Sequence, residues 1–290
     1  MNLPHSFFGR ILFPDSMGSC LNFGRNYEMD YLKFLNPHLF NSGERFLEYA
    51  RSRSREYSAG LPFPHIVFDD LLNNAHLEQV LAELDKVSEF EYKKSFHGAE
   101  KKFGKADVWE LGNATRELLF FLNSQPVLLF LEALSGIEGL ISDSHFFGGG
   151  YHEIRRGGFL KMHTDFNWHQ KLHLDRRLNL LLYLNKDWKP EWRGQVQLAD
   201  STFKQTKAVD PTFNRIVVFS TTDYSFHGHP DPLECPDERK RQSLALYYYT
   251  NGRPEGETNL GRSIRTNYQS RYAGDLQFPA ISRVLARFKK

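Results

Sequence analysis

A histidine and an aspartate two residues apart are the first candidates for chemistry in this sequence. His163 and Asp165 lie at the end of a short apolar stretch, Phe159 to His163, that predicts a β-strand. Residues i and i+2 of a strand face the same side, so the imidazole and the carboxylate can both reach one metal ion. A His-x-Asp pair is common, however, and alone it more often marks an exposed polar strand edge. A metal site therefore requires a third ligand.

A third ligand is available after a second apolar strand. The segment Phe213 to Phe219 contains β-branched residues and is followed by a turn that carries His227 and His229. Either histidine would complete a set of two imidazoles and one carboxylate. Such a set leaves three positions of an octahedral ion open, as in non-haem iron(II) oxygenases. Taken alone, His227 would more often be a hydrogen-bonded turn residue, so the prediction depends on the combination.

Arg241 and Ser243 supply a candidate anion site. They are two residues apart at the start of the predicted strand Ser243 to Thr250, and so share a strand face. A guanidinium binds a carboxylate through two parallel hydrogen bonds, and a neighbouring hydroxyl adds a further donor. The pair suits the remote carboxylate of 2-oxoglutarate. The alternative is an arginine on a solvated edge strand, but an inward-facing arginine on so apolar a strand needs an anionic partner.

Five motifs in this order and spacing resemble the prolyl-4-hydroxylase-like branch of the iron(II)/2-oxoglutarate dioxygenases. They are His163-Thr-Asp165, the strand Arg177 to Trp188, the segment Pro211 to Phe219, Ser225-Phe-His227 and Arg241-Gln-Ser243. The resemblance covers about residues 61–254. Each motif alone is weak, whereas the ordered set is specific.

The resemblance implies a double-stranded β-helix fold, an Fe(II) cofactor and the cosubstrates 2-oxoglutarate and O2. It implies His163, Asp165 and His227 as the metal ligands, since the family places its last ligand directly after a Ser-Phe or similar pair. It also implies that Tyr183 donates to the carboxylate that Arg241 binds. The expected reaction hydroxylates an unactivated C–H bond and releases succinate and CO2, and the expected substrate is a peptidyl proline or another amino-acid residue.

The sequence departs from the family pattern on the substrate side. Arg193-Gly194-Gln195 stands where relatives usually carry paired glycines, which predicts a different local bulge. A tyrosine common before the first ligand is absent, and His152 and Glu153 are found there. A loop that contains His169 and His173 is either a lid over the site or a solvated polar loop. Four residues are candidates for contacts with substrate or for support of the ligands: Tyr247, Asn167, His229 and His152.

Short strands separated by turns dominate the second half of the chain. The predicted strands are His145 to Tyr151, Phe159 to His163, Leu178 to Leu184, Gln195 to Leu198, Ile216 to Ser220 and Ser243 to Thr250. The turns leave no room for helical crossovers, so a jelly roll of two facing antiparallel sheets is expected. Predicted helices that back a sheet are Asn73 to Val87, Ala114 to Asn123 and Pro126 to Ser135. The fold class is therefore mainly β with supporting helices, or α+β.

Three regions are expected along the chain. Residues 1–60 form an N-terminal extension of unassigned role that is partly helical, with a helical stretch at Ser42 to Ser52. Residues 61–254 form the oxygenase domain. Residues 255–290 form a C-terminal extension that ends in a short amphipathic helix.

Composition limits the class of protein and its partners. Of 290 residues, 40% are hydrophobic and 25% charged, a balance typical of soluble globular proteins. The formal net charge of +2 gives no reason to expect a nucleic-acid partner, and the basic cluster Arg51 to Arg55 is more typical of a solvated loop. Two cysteines, Cys20 and Cys235, suit a reducing compartment. With no apolar run near the ~20 residues of a membrane span, no membrane partner and a cytoplasmic location are predicted. The oligomeric state stays open.

Other functions are compatible with parts of this pattern. The substrate could be a free amino acid, a small natural-product intermediate or a sugar. A zinc hydrolase could use the same His/Asp/His set, but it would leave Arg241 and Tyr183 without a role. A non-catalytic binding module on a degenerate jelly roll would not need both an intact ligand set and an intact anion site.

Overall fold

The computed structural model of the chain describes residues 31–86, 102–259 and 261–268, and within them the strands form two antiparallel sheets. The larger sheet contains β1 (His65–Asp69), β2 (Lys102–Lys105), β3 (Ile141–Ser142), β4 (Gly150–Arg155), β6 (Trp168–His169), β7 (Leu174–Tyr183), β10 (Arg215–Ser220) and β12 (Lys240–Thr250). The smaller sheet contains β5 (Leu160–Thr164), β8 (Val196–Ala199), β9 (Thr206–Val209), β11 (Phe226–His229) and β13 (Asn267–Tyr268).

The order of the strands is that of a jelly roll. The larger sheet has the order β1-β10-β7-β12-β4-β2, with β3 beside β12 and β6 beside β7. The smaller sheet has the order β13-β5-β11-β8-β9. From β4 to β12 the chain passes repeatedly from one sheet to the other, which is the winding of a double-stranded β-helix. The predicted fold class is confirmed.

Alternation along the central strands of the larger sheet separates the core from the cavity. Leu182 on β7 and Leu244 on β12 are cross-strand partners and belong to the main hydrophobic core. Their neighbours Tyr183 and Ser243 are also partners, but they line the cavity between the sheets. Because successive strand residues face opposite sides, one register fixes both the core and the polar lining of the cavity.

Helices cover the outer face of the larger sheet. They are α1 (Gly43–Ser58), α2 (Asn74–Leu84), α3 (Asn113–Leu122) and α4 (Gln125–Ser135), with short 3-10 helices at Tyr31–Phe34, Val108–Glu110 and Pro190–Trp192. Ser42 and Asn73 accept backbone N–H groups at the starts of α1 and α2. Gly136 ends α4 with φ of 72°, a conformation that glycine adopts without strain. The predicted helices are present, and α1 extends beyond the predicted end at Ser52.

The N-terminal segment packs into the same core as the sheet. Phe46 of α1 stacks on Phe130 of α4 with ring centroids 4.3 Å apart, and both belong to the main core. The Tyr57 hydroxyl lies 2.6 Å from Ser220 Oγ on β10. Residues 31–58 are therefore in close contact with the strands that follow them.

Two local predictions are wrong. The strand predicted at His145 to Tyr151 begins only at Gly150, because the Asp143 carboxylate accepts the N–H groups of His145 and Phe147 and closes a turn there. The turn predicted around His227 is the strand β11, which pairs with both β5 and β8. A four-residue strand stabilised by its two neighbours leaves little local signal.

Several predictions lie outside the described residues. The first is most of the N-terminal extension, residues 1–30, where Cys20 lies. The others are Val87, the last residue of a predicted helix, and the predicted C-terminal helix within residues 269–290. Cys235 is buried with a free thiol. In the parts that the structure covers, no single helix is long and apolar enough to cross a membrane, and α3 and α4 reach that length only as a pair bent by 45°.

Candidate functional site

The smaller sheet brings the predicted metal ligands together. His163 on β5 is the cross-strand partner of His227 on β11, and their ring centroids lie 4.4 Å apart. Asp165 follows β5, with Oδ1 3.5 Å from His163 Nε2 and Oδ2 3.2 Å from His227 Nε2. The three ligand atoms lie within 4.8 Å of one another, and no other group of His, Cys, Asp and Glu in the described ranges meets this criterion.

Backbone carbonyls set the tautomer of both histidines. His163 Nδ1 lies 2.8 Å from Lys161 O, and His227 Nδ1 lies 3.3 Å from Ser225 O. Because a carbonyl only accepts, each Nδ1 carries the proton and each Nε2 presents a lone pair to the shared space. Burial lowers the pKa of His163, and the neighbouring His227 lowers it further. Neutral imidazoles with free Nε2 atoms are what a metal ion requires.

Two side chains of β7 hold the Asp165 carboxylate. Arg176 Nη2 and Asn179 Nδ2 each donate to Asp165 Oδ2 at 2.7 Å. Burial acts to raise the pKa of Asp165, but the charge of the neighbouring Arg176 guanidinium holds it well below its ordinary value. The carboxylate is therefore ionised and fixed in orientation before any metal binds.

Arg176 reaches Asp165 because of a β-bulge. Asn179 pairs with Tyr247 across β7 and β12, but the next inward pair is Arg176 with Tyr249, so Arg177 is the extra residue. The Arg176 guanidinium lies between two aromatic rings, 3.3 Å from the centroid of Tyr247 and 4.6 Å from that of Phe166. Neither Arg176 nor Asn179 is among the site residues predicted from the sequence. Their signal was the presence of strongly polar residues in a strand that is otherwise apolar, since a buried polar group needs a partner.

Arg241 lies in the same cavity as the three ligands. Its Nε donates to Gly194 O at 2.7 Å and its Nη2 to the Tyr183 hydroxyl at 3.2 Å. Burial raises the pKa of Tyr183, so this hydroxyl keeps a proton that it can donate to an anion. Ser243, the cross-strand partner of Tyr183, lines the cavity beside them. Arg241 is buried, and no carboxylate of the described residues forms an ion pair with it.

A glycine and an unusual arginine shape the backbone beside Arg241. A Cβ atom at Gly194 would lie 2.6 Å from Leu233 Cδ2 and 3.1 Å from Arg241 Cδ, so only glycine fits without a shift. Arg193 has φ of 61° and ψ of −153°, a region that glycine alone adopts easily. Arg193 is therefore a non-glycine residue in a glycine-type conformation.

Three of the four further candidates line the cavity, namely His152, His229 and Tyr247. Asn167 does not line it. Its side-chain amide donates to Gly261 O at 2.9 Å and accepts from Ser263 N at 2.6 Å. Of the two histidines predicted in the loop after Asp165, His169 is only 1% exposed, whereas His173 is exposed.

The geometry distinguishes the two neighbouring histidines. His229 pairs with Leu160, and the register between β11 and β5 shifts between His227 and His229. Both imidazoles line the cavity, but His227 alone belongs to the compact group with His163 and Asp165. The geometry therefore favours His227 as the third ligand.

The residues fit iron(II) and 2-oxoglutarate. Two neutral imidazoles and one carboxylate form the facial donor set of non-haem iron(II) sites. The cavity that joins this set to Arg241 has a volume of about 80 Å³, whereas a single water needs roughly 10–15 Å³ on a comparable measure. Arg241, Tyr183 and Ser243 offer a cation and two hydroxyl groups to a carboxylate. A small dicarboxylate suits a cavity with a metal site and a buried cation.

Comparison with known proteins agrees with this chemistry. The sequence model of the 2OG-Fe(II) oxygenase superfamily matches residues 149–249. A prolyl hydroxylase from Trichoplax adhaerens, solved in complex with a peptide fragment of the hypoxia inducible factor oxygen degradation domain, aligns with a TM-score of 0.52 and 15% identity over 71% of this chain and 91% of that chain. A prolyl 4-hydroxylase structure from Phytophthora capsici aligns with a TM-score of 0.51 and 20% identity over 84% of this chain and 76% of that chain. Among curated proteins, no sequence matches this chain.

The fold and the donor set define a mononuclear non-haem iron oxygenase. Residues 149–249 match the 2OG-Fe(II) oxygenase superfamily, and the two prolyl hydroxylase structures share the fold of this chain. The matched region and the donor set are those of an Fe(II)- and 2-oxoglutarate-dependent dioxygenase.

Proposed function

We propose that His163, Asp165 and His227 bind the iron, that Arg241, Ser243 and Tyr183 bind the remote carboxylate of 2-oxoglutarate, and that the enzyme hydroxylates a prolyl residue of a peptide or protein. The observation that carries the cosubstrate assignment is the buried Arg241, which lies in the same cavity as the ligands and lacks a carboxylate partner among the described residues. A buried guanidinium without an anion is unfavourable, so this one is built for an anionic ligand.

Each residue has a defined task in this proposal. His163, Asp165 and His227 would hold iron(II), which would supply O2 activation: one oxygen atom of O2 would enter a substrate C–H bond and the other would enter succinate as 2-oxoglutarate loses CO2. Arg241 and Tyr183 fix the far end of the cosubstrate, which sets the position of its near end. Arg176 and Asn179 hold Asp165 so that one carboxylate oxygen faces the shared space.

Aromatic residues beside the site support a peptide substrate. Phe147 is 49% exposed, its ring lies 5.5 Å from that of Phe166, and Phe166 lies 6.3 Å from Tyr247 in the cavity wall. These rings lead from the surface toward Asp165, and aromatic faces pack well against the flat aliphatic ring of proline. The Trichoplax relative, solved with a peptide fragment, has the same fold and motivates testing prolyl peptides first.

The assignment is tested by binding and by product analysis. Anaerobic titration of the full chain with iron(II) and then 2-oxoglutarate should give a weak visible charge-transfer band. Aerobic reaction with prolyl peptides should release succinate and add the mass of one oxygen atom to the peptide. If neither cosubstrate binding nor succinate release is detected, the assignment of the site is wrong.

The substrate class is tested separately from the site. Phe147→Ala should raise the KM for the peptide without changing the KM for 2-oxoglutarate, because Phe147 is proposed to contact substrate alone. Phe120→Ala is a matched control, since Phe120 is 44% exposed on α3. An oxygen gain on a metabolite with none on any peptide would contradict the peptide proposal and leave the iron site intact.

The organisation of the chain is part of this proposal. Residues 61–254 would form the oxygenase domain, flanked by an N-terminal extension and by a C-terminal extension from residue 255. A cytoplasmic location is supported by the presence of only two cysteines in the sequence.

A further inference from the structure

Residues 261–268, called the C-terminal strap below, lie along the strand that precedes the proposed ligand Asp165. Within the strap, β13 pairs Asn267 with Thr164 and Tyr268 with His163. In the smaller sheet β13 is the outermost strand next to β5, so the strap covers the edge of β5. Without it β5 would be an edge strand, whose backbone is hydrogen-bonded on one side only.

Asn167 attaches the strap just after Asp165. Its side chain forms two hydrogen bonds with the strap backbone, to Gly261 O at 2.9 Å and from Ser263 N at 2.6 Å. The N–H groups of Asn167 and Trp168 both donate to Ser263 O, at 3.0 and 3.1 Å. Asn167 O also accepts from Arg176 N at 2.9 Å. One asparagine therefore links the strap to the residue that holds the Asp165 carboxylate.

Arg262 attaches the strap a second time. Its Nε and Nη2 donate to the two carboxylate oxygens of Asp175, at 3.2 and 2.9 Å. Its guanidinium lies 3.7 Å from the ring centroid of Trp168, which pairs with Asp175 across β6 and β7. Asp175 is buried, whereas the side chain of Arg262 is 56% exposed. The strap thus also connects the two ends of the loop between β6 and β7.

The strap reaches the first ligand itself. The ring of His163 has His227 at 4.4 Å and Tyr268 at 5.3 Å between centroids. Tyr268 is 40% exposed, so it lies at the surface beside the histidine. Both the backbone and the imidazole of His163 therefore contact the strap.

We infer that the C-terminal strap is a positioning element of the iron site, attached through Asn167 and Arg262, and that it fixes the backbone on both sides of Asp165. The inference rests on the proposed ligands His163 and Asp165. Metal ligands must be held within roughly 0.5 Å of their working geometry, so a loosened strap weakens metal binding although every ligand is still present. None of the strap residues is proposed to touch the metal, the cosubstrate or the substrate.

The test measures iron affinity and local backbone protection in the full-length chain. The variants are Asn167→Ala, Arg262→Ala and the conservative Arg262→Lys, with Arg265→Ala as control, because Arg265 is an exposed strap residue. Iron(II) affinity is measured by anaerobic titration without cosubstrate. Hydrogen exchange followed by mass spectrometry reports the protection of residues 160–168 and, for comparison, of β12.

Asn167→Ala should weaken iron(II) binding about 10- to 100-fold, the usual effect of losing a residue that orients a metal ligand. Exchange should become faster in residues 160–168 and stay unchanged in β12. Arg262→Ala should change both measurements in the same direction by less, Arg262→Lys should lie between it and wild type, and Arg265→Ala should match wild type.

Three results would overturn the inference. They are iron(II) affinity and exchange both unchanged in Asn167→Ala and Arg262→Ala, faster exchange with unchanged iron(II) affinity, and weaker affinity without faster exchange. If Asn167→Ala does not fold, Arg262→Ala decides the question, because Arg262 is exposed on the surface. If the wild-type chain binds no iron(II), the proposed function fails, whereas the exchange measurement still tests whether the strap holds β5.

Discussion

Replacement of Arg241 by methionine separates cosubstrate binding from stability. The change removes the guanidinium but keeps an unbranched apolar side chain of similar length. Arg241 donates to Gly194 O and to the Tyr183 hydroxyl, and it has no carboxylate partner among the described residues. The apoprotein therefore holds an uncompensated buried charge that only the bound cosubstrate neutralises.

The two effects have different magnitudes. Loss of one partner of a buried charge pair costs about 2–5 kcal/mol of binding free energy. Since about 1.4 kcal/mol corresponds to a tenfold change, 2-oxoglutarate affinity should fall about 30-fold or more. In the apoprotein, removal of the buried charge should raise the free energy of unfolding by several kcal/mol. The two acceptors that lose their donor, Gly194 O and the Tyr183 hydroxyl, should each lower it by about 1–3 kcal/mol. These terms offset one another, so the free energy of unfolding should change by no more than about 2 kcal/mol.

The assay is calorimetric titration of the iron-loaded protein with 2-oxoglutarate under anaerobic conditions, with denaturant unfolding of the apoprotein. Arg239→Met is the control, because it makes the same chemical change at an arginine that does not line the cavity. The Arg239 guanidinium packs on the ring of Trp192 instead. Iron(II) affinity should be the same in both variants. Unchanged 2-oxoglutarate affinity in Arg241→Met would place the anion site elsewhere, and equal loss of iron and cosubstrate binding would indicate misfolding.

Three further predictions follow from single residues. His227→Ala should lose iron(II) binding while His229→Ala keeps it, and anaerobic titration showing the reverse would transfer the ligand role to His229. Arg193→Gly should raise the free energy of unfolding by about 1 kcal/mol, because glycine relieves the unfavourable backbone conformation of Arg193 and only a surface ion pair with Glu234 is lost. A lower melting temperature in this variant would argue against strain at this position. Glu83→Gln should flatten the loss of stability in acid. Burial acts to raise the pKa of Glu83, but hydrogen bonds from the N–H groups of Ala114 and Thr115 lower it overall. The stability that Glu83 contributes is therefore fully present above its unfolded pKa of about 4.3, and it is lost as the pH falls through the lower folded pKa. Thermal melts between neutral and acidic pH would contradict this if both proteins lost stability in parallel.

The chemistry of the site could be predicted from sequence because it is encoded in short spacings. The pairs His163 and Asp165, and Arg241 and Ser243, are each two residues apart on extended chain, and strand geometry places such pairs on one face whatever the rest of the fold does. The alternation of apolar and polar residues likewise predicts strands, and short turns between them exclude parallel crossovers. Residue type and local geometry therefore indicated candidate metal and anion sites, and the order of the motifs along the chain made the combination specific.

The support of the site was decided by contacts between distant segments. Arg176 reaches Asp165 only because a bulge in the pairing of β7 with β12 turns it inward, and a one-residue irregularity in pairing leaves no mark on local periodicity. Asn167, predicted to contact substrate or to support the ligands, bonds to Gly261 and Ser263, which lie far along the chain. The preference for His227 over His229 likewise depends on the register of β11 against β5. Register, bulges and edge pairing depend on which strands meet in three dimensions. Backbone hydrogen bonds between strands use the same N–H and C=O groups whatever the side chain, and the partner strand can lie anywhere along the chain.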